Sequence, residues 1–256
     1  MSAVPLLSAD EPAPVEIERS QSASPFVILC DHAGACLPRS LGQLGLPATD
    51  LTRHIAWDIG AGGVARRLGA LLDAAVVLQR YSRLVIDCNR APDHVDSIAE
   101  RSEATAISGN IGVSRDQREE RCRAIFTPYH DAIAALLDAR RQAGISTIII
   151  AQHSFTPVFH GAARPWHAGM LFDRDPRLGR VLGELLRGEG FVVGDNEPYR
   201  LSPTSDYTIP HHADGRSLPS IEIELRQDLI ADPAGQAAWA GRLAQHLPAA
   251  VERALR

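Results

Sequence analysis

Lysine is absent from this chain of 256 residues, so all 26 of its basic residues are arginine. Mechanisms that pass through a lysine Schiff base or a lysine general base are thereby excluded. Cysteine is scarce. Cys30, Cys36, Cys88 and Cys122 fall at irregular spacing with no C-x-x-C pair, which excludes a disulfide scaffold and reads as free thiols in a reducing compartment. No apolar run reaches the length of a membrane span. The first 24 residues lack both the basic start and the continuous apolar stretch of a signal peptide, so a soluble, cytoplasmic protein is expected. The net charge of -5 carries no basic stripe, and nucleic acid is not an expected partner.

What is present fits one sizeable α/β domain: 45% hydrophobic and 22% charged residues, with short apolar runs alternating with long amphipathic stretches. The runs predict strands over 25–30, 75–79, 83–88, 147–151, 191–194 and 220–225, and helices over 56–73, 115–143, 176–189 and 234–255, with Pro128 as a kink or break in the second helix. Residues 1–24 are expected to form a flexible arm and 25–256 a single domain. Long loops, 91–114, 155–175 and 195–219, separate these elements. Sites in open α/β sheets gather at the carboxyl ends of strands, where His32, Asn89, Arg90 and His153 are expected.

Five stretches carry groups suited to chemistry. In "VILCDHAGACLP" a strand opens into a turn at Asp31-His32, where an imidazole can ligate zinc with the neighbouring carboxylate orienting it, or where both residues merely cap the turn. In "TRHIAWDIGA" His54 and Asp58 lie four apart and would share one helix face, as metal ligands or as a local pair at the helix start. In "QRYSRLVIDCNRAP" Asn89 and Arg90 have the shape to grip a carboxylate, while Asp87 is expected to pair locally. His153 ends the run "STIIIAQH", and Glu222 and Glu224 share one face of "SIEIELR", either buried for catalysis or turned to solvent on an edge strand.

With "HIAWDIGA", "SRLVIDCNR", "PYHDAI", "QHSFTP", "VGDNEPY", "DYTI" and "IEIELRQDLI" in order along the chain, the sequence resembles the N-formylglutamate amidohydrolase family. That family is similar in fold to the zinc carboxypeptidases, which implies a three-layer α/β/α arrangement around a mixed, mostly parallel sheet of the phosphorylase/hydrolase-like, zinc-exopeptidase-like kind. The resemblance further implies a zinc ion on His32 and His153, an Asn89-Arg90 pair for the substrate carboxylate, and Glu224 as the catalytic glutamate. The peptidases' H-x-x-E pair is missing, because Ala35 stands three beyond His32. Asp58 is therefore taken as the third ligand, with His54 as the alternative.

The reaction so implied is hydrolysis of the amide bond of N-formylglutamate or a related N-acyl amino acid. Glu224 would take a proton from zinc-activated water, Arg83 or Tyr207 would polarise the carbonyl, and Arg226 or Arg101 would meet a glutamate side chain. A hydrolase of other N-acyl amino acids or small peptides, and a non-catalytic carboxylate-binding protein, are the alternatives. Ser154 lacks the context of a nucleophile elbow.

Overall fold

The computed structural model describes residues 5–255. Seven strands form one sheet: β1 (Val15–Glu18), β2 (Phe26–Cys30), β3 (Ala75–Gln79), β4 (Ile148–Phe155), β5 (Ala168–Leu171), β6 (Val193–Asp195) and β7 (Ser220–Arg226). Their order across the sheet is β1-β3-β2-β4-β7-β5-β6. Strands β3, β2, β4 and β7 run parallel, β1 is antiparallel to β3, and the β5-β6 pair is antiparallel to β7. The sheet is thus mixed and mostly parallel.

Helices cover both faces. On one lie α1 (Ala61–Leu71), α4 (Arg177–Gly188) and α5 (Pro233–Leu255), packed on Ile28, Ile150, Ile221 and Ile223. On the other, α3 (Thr127–Gln142) follows the shorter α2 (Arg115–Arg121) and covers Val27, Ile149 and Ala151 with Ile133 and Leu137. Strand β4, fourth of the seven, is buried at every position. Each fully buried Ile contributes roughly 1.5–3 kcal/mol, so the middle of the sheet is the stiffest mount the fold offers.

Several expected boundaries move. The 1–24 arm contains β1, whose edge pairing is reinforced by Glu16: Arg66 and Arg80 both bond its carboxylate, at 2.6 and 2.7 Å. Residues 1–4 of that arm lie outside the described residues. Residues 83–88 form turns rather than a strand, because side chains from elsewhere take their backbone groups. Asn110 Nδ2 donates to the Leu84 carbonyl at 2.8 Å and Arg121 Nη1 to the Val85 carbonyl at 2.9 Å. Helix α1 begins at Ala61 rather than 56, which leaves His54 and Asp58 in the preceding turns and not on one helix face. The break expected at Pro128 is a π-helical turn, Cys122–Phe126, which widens the backbone just ahead of the proline. The 155–175 loop contains β5, and β4 runs through His153 instead of stopping before it.

Candidate active site

Three adjacent central strands supply the site. Strand β2 ends at Cys30 and delivers Asp31 and His32; β4 carries His153; β7 carries Glu222 and Glu224, with Glu224 level with His153 across the sheet. Asp58 comes from the turn before α1, where its N–H donates to the His32 carbonyl at 3.0 Å. That turn closes through Gly60, at φ +81°, where a Cβ would lie 2.1 Å from the Ile230 carbonyl oxygen. Glycine alone suits both the left-handed backbone and the close approach.

The geometry around Asp58 is specific. His153 Nδ1 lies 3.0 Å and His32 Nδ1 3.4 Å from the same oxygen, Asp58 Oδ2. The far nitrogen of each ring is held by another buried carboxylate: His32 Nε2 meets Asp87 Oδ1 at 2.7 Å, and His153 Nε2 meets Asp31 Oδ2 at 3.1 Å. Asp31 Oδ1 accepts a further bond from Thr208 Oγ1 at 2.8 Å, and Asp87 accepts one from Arg83. One donor atom from each of His32, Asp58 and His153 lies within 4.8 Å of the other two. Two imidazole nitrogens and a carboxylate oxygen, each imidazole backed by a carboxylate, are a donor set that suits zinc. The three residues expected as ligands are therefore brought together.

Charge follows this arrangement. Burial works against ionisation of Asp31, yet the bond and charge of His153 and the charge of His32 hold its carboxyl at about 2. Burial likewise opposes charge on His153, but the charge of Glu222 and the bonds to Asp31 and Asp58 shift it well above the usual histidine range. Glu222 and Glu224 behave oppositely. They are 3% and 5% exposed, each has one carboxyl oxygen, Oε2, with no hydrogen-bond partner, and burial pushes both up to about 8. Neither faces solvent, which removes the edge-strand alternative.

The cavity over these residues measures about 540 Å³ and is lined on its basic side by Arg83, Arg90, Arg101 and Arg200, with Tyr199 beside them. Other expected site residues fall differently. His54, the alternative ligand, lines the cavity but pairs with Glu103 at 3.1 Å. Asn89 spends its side-chain oxygen on the N–H groups of Tyr207 and Thr208, at 3.1 and 3.0 Å, so it anchors a loop. The Tyr207 ring stacks on His211 and packs edge-on to His130 and Phe126, outside the cavity lining. Arg226 bonds Asp228 at 2.8 Å and the Trp166 carbonyl at 3.4 Å, also outside the lining.

Residues that sequence reasoning missed are Thr208, Tyr199, Arg164 and Arg200. Arg164 donates to the Tyr199 hydroxyl at 2.8 Å and lies over the Phe159 ring. The signal for Tyr199 and Arg200 was present in "NEPYR", next to the "DYTI" from which Tyr207 was taken. Asp31 was expected to orient its neighbour His32, but it serves His153, and Asp87 serves His32.

The family model for N-formylglutamate amidohydrolase matches residues 24–231. The chain belongs to that family. A solved structure of a gene product from Agrobacterium tumefaciens is 36% identical, covering 96% of this chain and 98% of that one, with a TM-score of 0.94. The N-formylglutamate amidohydrolase of Ralstonia eutropha is 18% identical over 94% of this chain and 98% of that one, with a TM-score of 0.71, and shares the fold of this family member. No curated protein matches the chain. Among the described residues no helix is long and apolar enough to cross a membrane.

Proposed function

We propose that this member of the amidohydrolase family is a metal-dependent enzyme that hydrolyses the amide C–N bond of N-formylglutamate or a related N-acyl amino acid. Water is consumed, and formate or a small acid is released with the free amino acid. The observation that carries the reading is the convergence of the His32 and His153 Nδ1 atoms on Asp58 Oδ2, with each Nε2 tied back to its own carboxylate.

His32, Asp58 and His153 would hold the metal, and zinc suits their donor types. When bound, such an ion supplies Lewis acidity, polarising an amide carbonyl and acidifying water. Glu224, level with His153 on the neighbouring strand, lines the cavity and has no hydrogen-bond partner for its Oε2; it takes the proton from water there. It then hands that proton to the leaving nitrogen. Arg83, which lies 3.5 Å from Asp58 Oδ1, and the Tyr199 hydroxyl are the donors best placed for the developing oxyanion. Arg90 and Arg200 grip the α-carboxylate. Asn89 acts indirectly, fixing the loop that carries Thr208 and, through Thr208, Asp31.

The test is metal analysis of the purified protein joined to release of formate and amine from N-formylglutamate and a set of N-formyl and N-acetyl amino acids, with and without chelator. One zinc per chain and turnover that chelator abolishes and zinc restores are expected. Turnover that survives complete removal of metal would refute the reading.

A further inference from the structure

Glu222 is left over by this mechanism. It lies two residues before Glu224 on the same face of β7, level with Ala151 on β4 and Leu171 on β5, neither of which offers it a side-chain donor. Its carboxyl lines the cavity, is 3% exposed, has one oxygen without a hydrogen-bond partner and has no ion pair among the described residues; the charge it acts on is His153, whose two ring nitrogens are already taken by Asp58 and Asp31. A buried polar atom left unpaired costs free energy on the scale of a whole hydrogen bond or more. Such a group persists where something outside the chain satisfies it.

The cavity's charges say what that partner is. Of its four arginines, Arg83 is engaged by Asp58 and Asp87, Arg90 by the Ser205 carbonyl and Asp87, and Arg101 by the Ala104 carbonyl. Arg200 has no ion-pair or hydrogen-bond partner among the described residues. Arg226, the cation expected for a second substrate carboxylate, is outside the lining and tied to Asp228. The basic groups therefore suit one carboxylate. A second one, such as the end of a glutamate side chain, would meet Glu222 and Asp206, both of which line the cavity; Asp206 is held by Ser202, Ser205 and Asn89 and has no ion pair among the described residues.

We propose that Glu222 anchors a subsite for a cationic nitrogen group, so that the substrate of this chain is an N-acyl amino acid with one carboxylate and one amine or guanidinium. The inference rests on the amidohydrolase reading above for the reaction itself. The cationic group belongs either to the side chain of the amino acid or to a free amine on the acyl part, as in a dipeptide. Its bond to the carboxylate where Glu222 lines the cavity is charge-assisted.

Two measurements on the zinc-loaded protein test this. In the first, hydrolysis rates are compared for N-formyl-lysine, N-formylnorleucine, N-formylglutamate and glycyl-leucine. The cationic substrates are expected to exceed the neutral and acidic ones by about 10- to 100-fold in kcat/KM, the worth of one buried charge-assisted bond. Preference for N-formyl-lysine assigns the cation to the side chain, and preference for glycyl-leucine assigns it to the acyl part. In Glu222→Gln whichever ratio is raised in the wild type, N-formyl-lysine or glycyl-leucine over N-formylnorleucine, should collapse to within about 3-fold, the collapse being of similar origin to the preference itself. A wild-type preference for N-formylglutamate, or a ratio that Glu222→Gln leaves alone, would overturn the proposal. In the second measurement, calorimetry compares binding of lysine, norleucine and glutamate. If nothing is hydrolysed, the amidohydrolase reading fails, while tighter binding of lysine that Glu222→Gln weakens still supports the subsite and equal binding of all three overturns it. The wild-type comparison stands even if the variant does not fold.

Discussion

Replacing Asp31 by Asn separates the charge behind His153 from the shape that holds it. Asp31 is almost wholly buried, with Oδ2 3.1 Å from His153 Nε2 and Oδ1 2.8 Å from the Thr208 hydroxyl. An asparagine of the same outline keeps both contacts: its carbonyl accepts from His153 Nε2–H, and its amide donates to Thr208 Oγ1, since a hydroxyl can accept as well as donate. What disappears is the negative charge that makes the imidazole a better ligand. A carboxylate behind a metal-bound histidine is worth about 10- to 100-fold in metal affinity, or about 1.4–2.7 kcal/mol. Asp31→Ala removes the contacts as well, leaves a buried N–H and a buried hydroxyl unpaired, and should cost the fold about 3–5 kcal/mol. Competition for zinc against a chromophoric chelator gives the affinities, and urea unfolding of chelator-stripped protein gives the stabilities. The reasoning fails if Asp31→Asn binds zinc as tightly as the wild type, or if it is destabilised as much as Asp31→Ala.

Other substitutions probe separate parts of the account. His153→Ala, which takes away one of the three proposed ligands, should lose both metal and turnover when assayed by metal analysis and amine release. Asn89→Ala should free the Tyr207 and Thr208 N–H groups, raise KM more than it lowers kcat, and destabilise the fold by about 1–3 kcal/mol in urea unfolding. Deleting residues 1–18 strips β1 and the Glu16 pairs with Arg66 and Arg80 from the β3 edge; a loss of about 2–4 kcal/mol is expected from some four ladder bonds at roughly 0.5–1.5 kcal/mol each, partly offset by chain entropy. An unchanged melting temperature after that deletion would show the strand to be energetically idle.

The sequence made the central strands legible because "FVILC", "AVVLQ" and "TIII" are unbroken apolar runs, the mark of strands covered on both faces. It hid β5, whose "AGML" is built of small residues and becomes a strand only by pairing with β7 and β6. It misled at 83–88 because the groups that satisfy that backbone, Asn110 and Arg121, stand more than 20 residues further on. The same rule divides the site. His32, Asp58, His153 and Glu224 were readable as residue types at strand ends and in a family-like order. The pairing of Asp31 with His153 and of Asp87 with His32 was not, because those bonds span 122 and 55 positions and are set by which strands become neighbours. Tyr207 and Arg226 were chosen from stretches that do reach the site, but local partners, His211 for one and Asp228 for the other, claim their side chains.

The central claim, that a metal on His32, Asp58 and His153 works with Glu224 as the proton carrier, is tested most directly by Glu224→Gln. The amide keeps the size of the side chain and touches none of the three proposed metal ligands through any bond seen in the wild type, but it cannot take a proton from water. The account predicts one zinc per chain in both proteins and a kcat about 10²–10⁴-fold lower in the variant. A variant that holds its zinc and turns over at the wild-type rate would contradict it.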